Sequence, residues 1–379
     1  MQVRCINSLT DISAADWNRL TDDSNPFLKH EFLAALEQYH CLEENGWQPS
    51  HIVVSEQGRL RGAMPLYLKW NSFGEFVFDW TWAEAYQRAG GIYYPKLVAA
   101  IPFTPVTGPR LLVAQANEGQ TQITGALIDG ALNLARQLDV SSLHCLFTTT
   151  EDTDQLEQNG LMRRVGYQYH WSNRPYRDFQ EFLDSLTSKK RKQIKRERRT
   201  VREAGIHIDI LTGDQINDQH WDTFYGFYCS TFYRKWNQPR LTLDFFKSMG
   251  SKLASNTILL LARQKSRYVA GALCLRGKDT LFGRYWGCSE PFTNLHFEMC
   301  YYQAIEYCIA NKLKRFEAGA QGEHKLSRGF APARTWSAHW IRDASFHRAV
   351  EDFLLREQQI VDRYIDSLNQ HAPFKQVSV

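Results

Sequence analysis

The sequence predicts an α/β protein of two units with mixed sheets, and three observations carry that expectation. Two segments read as β-hairpins of the same kind, His51–Trp70 and Thr257–Gly277: in each an apolar strand meets a polar turn and returns through a Gly-Ala pair, Gly62-Ala63 and Gly271-Ala272. Each hairpin is followed at a similar distance by a helix and then a strand, 119–138 leading into Ser142–Phe147 and 296–311 into Lys314–Ala318, a faint internal repeat. Finally, 379 residues exceed what a single core usually organises. Strand pairs mixed with crossover helices imply antiparallel hairpins feeding a partly parallel core in each half.

The halves are expected to meet near 165–180, where YQYHWSNRPYRDFQEFL passes from an edge strand through Asn173-Arg174-Pro175 into a helix. The expected units are therefore 1–172 and 173–379, with no low-complexity linker between them. Within the second, Thr187 or Ser188 caps a basic helix over 187–204 that Gly205 stops. From Ala344 to Leu368, apolar residues recur at near-helical spacing between charges, which predicts a docking helix.

Composition narrows the classes. With 43% hydrophobic and 23% charged residues the chain is ordinary globular material, and a net charge of +4 is too small to attract polyanions except through local clustering. The eight cysteines are scattered without a C-x-x-C or a Cys/His group at zinc spacing, so reduced, mostly buried thiols and no metal site are expected. The amino terminus lacks a signal-peptide pattern, and the aliphatic run Ile258–Ala262 is far too short to span a bilayer. A cytoplasmic protein is the expectation, with peripheral membrane contact left open. A P-loop, a G-x-S-x-G elbow and an H-E-x-x-H pair are all missing from the sequence, which removes support for nucleotide hydrolysis, serine hydrolysis and zinc peptidase chemistry.

Three stretches carry the chemistry. In LTSKKRKQIKRERRTVREAGI nine cations crowd between Lys189 and Arg202, offset only by Glu197 and Glu203, while Ile194 and Val201 tie the helix to a core. Cations on successive turns suit a diphosphate, a nucleotide or an RNA backbone; the plain alternative is a solvated charged face. In NSFGEFVFDWTWAEAYQRAGGIYYPKL, read as a strand, Phe76, Phe78, Trp80 and Trp82 share one face, an aromatic wall beside carboxylates suited to a sugar or nucleobase or, equally, a packed sheet face. In RFEAGAQGEHKLSRGFAPARTWSAHWI a strand carrying Glu317 enters a Gly-rich loop with Glu323, His324, Lys325 and Arg328, a grouping able to supply a base and an oxyanion donor, or only surface charge on a turn.

At these residues the chain resembles a known family. LTSKKRKQIKRERRTVREAGIHI and LFGRYWGCSEPFTNLHFEMCYYQAIEYCIANKLKRFEAGAQGEHKLSRGFAP are similar to the second GNAT-like unit of Fem-type peptidoglycan aminoacyltransferases, and GEFVFDWTWAEAYQRAGGIYYPKL with IPFTPVTGPRLL resembles the bacterial FemAB-like group. The resemblance implies tandem GNAT-like units and transfer of an acyl or aminoacyl group onto an amine, such as that of a peptidoglycan precursor. It implies no tightly bound cofactor, with acyl-CoA or aminoacyl-tRNA as co-substrate and tRNA as a partner. On that view Lys189, Arg191, Lys195 and Arg198 hold phosphates, and Asp79, Trp80, Tyr86, Arg88 and Arg284 line the substrate site. Glu323 or His324 acts as base, with Lys325 or Arg328 stabilising charge. The Gln/Arg-x-x-Gly-x-Gly/Ala diphosphate loop of acyl-CoA enzymes is matched only by Arg284–Ser289, which ends in Ser and lies partly within a strand. Two further readings stand beside the first: a non-catalytic module for anionic glycan precursors or RNA, and an acyl-CoA-dependent N-acetyltransferase of a small amine.

Overall fold

The computed structural model describes all residues except 115–118, 235, 321 and 376–379. By internal contacts the chain divides into two compact units, one of residues 1–167 and 334–364 and the other of residues 168–333 and 365–379. Residues 334–364 thus group with the first unit, where their position along the chain had suggested the second. The reason is pairing: the strand residues Trp336–Ile341 form an antiparallel ladder with Ser142–Thr148 of the first unit.

Among the described residues fifteen strands follow one another: β1 Gln2–Ile6, β2 Trp47–Pro49, β3 His51–Glu56, β4 Arg59–Met64, β5 Leu66–Lys69, β6 Lys96–Ala99, β7 Leu112–Val113, β8 Ser142–Thr148, β9 Met162–Ser172, β10 Ile206–Thr212, β11 Thr257–Gln264, β12 Arg267–Arg276, β13 Thr280–Cys288, β14 Arg315–Glu317 and β15 Ala331–Ile341. In the first unit β1-β3-β4-β7 form an antiparallel sheet, and β15-β8-β6-β5-β2 lie in a second sheet, in which β6 and β8 are parallel. The second unit orders its strands β10-β11-β12-β13-β14-β9, antiparallel except for the β13–β14 pair. Both expected hairpins are present as β3–β4 and β11–β12.

Each parallel pair is joined by the crossover that parallel strands require. Between β6 and β8 runs the helix Gln120–Gln137, whose Ile123, Leu127, Ile128, Ala131, Leu132 and Ala135 recur at helical spacing and are buried against β3 and β4. Between β13 and β14 runs a helical stretch that begins at Leu295, passes through a π-helical turn at Glu298–Gln303 and ends as the α-helix Ala304–Ala310. The basic helix spans Ser188–Glu203 and buries Ile194, Glu197 and Val201 in the core of the second unit.

The aromatic segment departs from the expected strand. Phe76 sits at φ 64°, which breaks the alternation, and Trp80–Arg88 is a helix with Asp79 at its N-cap position and Trp82 and Ala83 buried. The run from Ala83 to Arg88 is rich in good helix formers, and here that propensity outweighs the aromatic alternation.

Gly287 explains part of the RYWGCS string. A Cβ at that position would fall 2.0 Å from the carbonyl oxygen of Phe227 on the helix Asp218–Tyr233, so glycine is needed for that helix to lie against β13. Because the obstructing atom is backbone, Gly287→Ala is expected to cost about 3 kcal/mol, seen as a fall in Tm on thermal denaturation.

Candidate active site

In the second unit, β13 and β14 stay together for three residue pairs only: Thr280 with Arg315, Leu281 with Phe316 and Phe282 with Glu317. Beyond that, β14 ends while β13 continues along β12 to Cys288. The ladder with β12 shifts register between Leu273 and Cys274, which pair with Tyr285 and Gly283, leaving Arg284 as the extra residue of a bulge. Bulges of this kind re-aim side chains at the margins of sites.

The resulting fork holds a cavity of about 130 Å³ lined by Leu273 and Cys274 of β12, Gly283–Trp286 of β13, His296, Cys300 and Tyr301 of the crossover, and Ala318-Gly319 after β14. Cys300 and Tyr301 belong to the π-helical turn, a distortion frequent at functional sites.

Lys325 is linked to this cavity through Gly319, one of the residues that line it. Its ammonium donates to the carbonyl oxygen of Gly319 at 2.8 Å, and the side chain is buried. Burial lowers its pKa to about 8, with only the Cys300 thiol acting the other way. Burial likewise holds His296 down at about 4, helped by repulsion from the charged forms of His324, Arg328 and Lys325, so the imidazole is neutral. His324 is exposed, forms a 2.8 Å hydrogen bond with the Tyr301 hydroxyl and is shifted downward by partial burial. Glu323 lies exposed at the start of the same 3-10 turn. Of the three residues expected to be catalytic, Lys325 is bonded to a residue of the cavity wall, His324 to the Tyr301 hydroxyl of that wall, and Glu323 is exposed.

Of two further arginines named for the substrate, Arg284 lines the cavity, whereas Arg328 is built into the scaffold. Its guanidinium donates to both Glu197 oxygens at 3.0 Å, to the Tyr302 hydroxyl at 3.0 Å and to the His324 carbonyl at 2.8 Å, and it lies 3.5 Å from the Phe297 ring centroid.

The basic helix sorts its cations. Arg191 pairs with Asp184 at 2.9 Å, and Arg198 bridges Glu298 at 3.1 Å and Glu306 at 2.8 Å while covering Phe179. Lys189 and Lys195 are exposed, and among the described residues neither forms an ion pair. Lys192, Lys195, Arg196, Arg199 and Arg202 fall on one helical face and line a groove of about 850 Å³ shared with His207 and Gln303. Two of the four expected phosphate ligands are thus already paired with carboxylates, while the exposed stripe was only partly named.

In the first unit Asp79 is interior. Lys96 donates to Asp79 Oδ2 at 2.5 Å, Glu75 Oε2 at 2.8 Å and Ser72 Oγ at 2.9 Å, and the Tyr93 hydroxyl donates to Asp79 at 2.7 Å. His144 and His339 close the group through a 2.6 Å contact between their Nδ1 atoms. Burial raises Glu75 to about 7 despite Lys96. For Asp79 burial also acts upward, but Lys96 and His144 override it and hold the carboxylate well below its ordinary value. Two carboxyls around one ammonium in a dry interior are neutral overall only when one keeps a proton, and that one is Glu75. Tyr86 packs on Phe346 at 4.8 Å, whereas Trp80 and Arg88 are exposed. Asp79 therefore anchors the aromatic segment from beneath. Lys96→Met strands Asp79 as a buried charge, and an unfolding free energy lower by about 3–5 kcal/mol in denaturant titration is expected.

Among the described residues no group of His, Cys, Asp or Glu is arranged to hold a metal ion, and no helix is long and apolar enough to cross a membrane.

The comparisons agree with the fold. A family model described as FemAB-like, peptidoglycan biosynthesis/recognition, matches residues 8–376, and the chain belongs to that family. None of the curated proteins matches the chain. Among solved structures it is similar to FemX, with 12% identity, a TM-score of 0.56 and coverage of 93% of this chain and 100% of that one. It is also similar to L-PGS from Bacillus licheniformis, with 10% identity, a TM-score of 0.51 and coverage of 86% and 95%. A tandem GNAT protein from the clavulanic acid biosynthesis pathway follows at 11% identity and a TM-score of 0.47, with coverage of 90% and 98%. At these identities the first two likenesses speak for the fold and nothing finer.

Proposed function

We propose that the chain transfers an acyl or aminoacyl group from an activated carrier to an amine in the β13–β14 fork of its second unit. The observation that carries this reading is the buried Lys325 ammonium bonded to Gly319, a wall residue of a small cavity bounded by the open end of a parallel strand pair. Attack of an amine on an ester or thioester carbonyl puts negative charge on the carbonyl oxygen. A cation already desolvated beside that position stabilises it without reorganising solvent. With a pKa of about 8, Lys325 also serves as a proton donor to the leaving group at neutral pH.

The family description favours an acceptor belonging to peptidoglycan synthesis. The donor is an acyl-CoA or an aminoacyl-tRNA, and the exposed stripe through Lys192, Lys195, Arg196, Arg199 and Arg202, with Lys189 above it, favours a donor with a long phosphate backbone. The reaction belongs in the cytoplasm, where both kinds of donor are made.

Thermal shift against acetyl-CoA, longer acyl-CoAs, aminoacyl-tRNA and UDP-linked muropeptide identifies the donor and acceptor by mass action on the native state. Binding without turnover would instead favour the non-catalytic module. Lys325→Met is expected to lower turnover about 100-fold. Its effect on stability runs the other way: the folded pKa of about 8 lies below the ordinary 10.5, so the buried ammonium weakens the fold below pH 8, and this cost fades as pH rises towards 10.5. At pH 7 the same variant should gain on the order of 1–3 kcal/mol. An unchanged rate in Lys325→Met removes the fork as the reacting centre.

For the stripe, changing Lys192, Lys195 and Arg199 together to Ala should flatten the dependence of log K on log salt for total tRNA by about 2. An unaltered slope would take phosphate binding away from this helix.

A further inference from the structure

Glu317 is the last residue of β14 to pair with β13, and the next two residues, Ala318 and Gly319, line the fork cavity. Its side chain is 3% exposed, yet among the described residues neither carboxyl oxygen accepts a hydrogen bond. A buried carboxyl left in this state needs a reason, because such groups are nearly always satisfied. Its surroundings are well defined. From its own strand, Arg315 Nε lies 3.3 Å from Oε1; from β13, Arg284 acts on it electrostatically; and from β9 its ladder partner His170 places Nε2 4.0 Å from Oε2. His170 Nε2 also lies 3.1 Å from Gln168 Oε1, which favours the tautomer that donates there.

We propose that Glu317, backed by His170, accepts the proton of the attacking amine at the β13–β14 fork. The assignment rests on the transfer reading given above and adds the residue which that reading lacked. In the step, the amine nitrogen forms a bond to the acyl carbon and gives one proton to the Glu317 carboxylate. The bond from the acyl carbon to the carrier oxygen or sulfur breaks, and that atom takes a proton from the Lys325 ammonium. The products are an amide, a protonated carrier, a carboxylic acid at Glu317 and a neutral amine at Lys325. Exchange with solvent restores both side chains.

The electrostatics agree with this geometry. Burial raises Glu317 to about 7 against the opposing pull of Arg315 and Arg284, so it can take up a proton near neutral pH and release it again. Burial, aided by Arg315 and Lys325, holds His170 down at about 3, so the imidazole stays neutral and does not compete for the proton.

The test uses the full chain labelled with carbon-13 at the glutamate carboxyls and followed by NMR from pH 5 to 9, with methylamine as the amine probe. A carboxyl signal with its midpoint near 7 should be present in the wild type and missing in Glu317→Gln, a variant whose Tm confirms folding. Saturating methylamine should lower that midpoint by half a unit or more, because an ammonium beside the carboxylate favours its charged form. If no signal lost in Glu317→Gln titrates above pH 6, or if methylamine leaves the midpoint in place, the assignment is overturned. A chain that passes both tests but moves no acyl group from acyl-CoA or aminoacyl-tRNA keeps its amine site and loses the transfer reading. Where transfer is measured, Glu317→Gln should lower kcat about 100-fold with KM within about twofold, and the acid limb of the kcat/KM profile near pH 7 should disappear.

Discussion

The ion pair between Glu197 and Arg328 is the contact on which the second unit's site depends. Glu197 projects inward from an otherwise cationic helix, and Arg328 projects inward from the turn that carries Lys325. Their bidentate contact is buried, and Tyr302, the His324 carbonyl and the Phe297 ring occupy the remaining donors and one face of the guanidinium. A buried pair satisfied on every side fixes the separation of the elements that carry it, and losing one partner leaves the other charge without compensation. The position of the Lys325 ammonium against Gly319 is therefore set by a residue on the basic helix, so the groups proposed to hold phosphate and to react share one scaffold.

The first unit shows what the same topology becomes when its fork is filled. There the parallel pair β6–β8 ends at Ala99 and Cys145, and the IPFTPVTGPRLL segment follows β6. Arg110 of that segment is fully buried and donates through Nε to the Leu146 carbonyl at 2.9 Å, just past the last pair. Its other nitrogens reach the carbonyls of Val106, Gly108 and Pro109 at 2.8–3.1 Å, and the Asp152 carboxylate receives the backbone N–H groups of Arg110 and Leu111. With each guanidinium nitrogen bonded to a main-chain carbonyl, this arginine is a plug. The distinctive segments of the first unit thus serve its interior, Arg110 at the end of the parallel pair and the Lys96 group beneath the aromatic segment.

Local patterns made much of the fold legible. The two hairpins, the Gln120–Gln137 crossover, the basic helix and the helix from Ala344 follow from periodicity and from glycine or cap positions, all of which act over a few residues. The Trp80–Arg88 helix was misread because aromatic alternation resembles a strand, while the feature that interrupts it, the backbone at Phe76, has no residue-type signature. Lys325 could be named because it lies with other polar residues in a Gly-rich loop. Glu317 is noted there only as a strand residue leading into that loop and His170 is not singled out, because the two lie far apart along the chain and only pairing of β14 with β9 sets them side by side. One trace was available: a carboxylate between Phe316 and Ala318 has no place in a buried strand unless something uses it.

Burial is the common cause of both unusual proton affinities at the fork. It weakens the charged form of any group, so it moves a carboxyl up and an amine down, and here it brings Glu317 to about 7 and Lys325 to about 8. Free in water the same two groups would be separated by about six units and would hold their charges firmly at neutral pH. Drawn together, they make charged and neutral forms of each nearly equal in free energy, and a proton can enter at one and leave from the other with little climb. The neutral imidazole of His170 preserves this balance, since a cation there would stabilise the Glu317 carboxylate and lower its proton affinity. The site is costly to the fold for the same reason that it suits proton transfer: both arise from desolvating groups that water would otherwise keep charged.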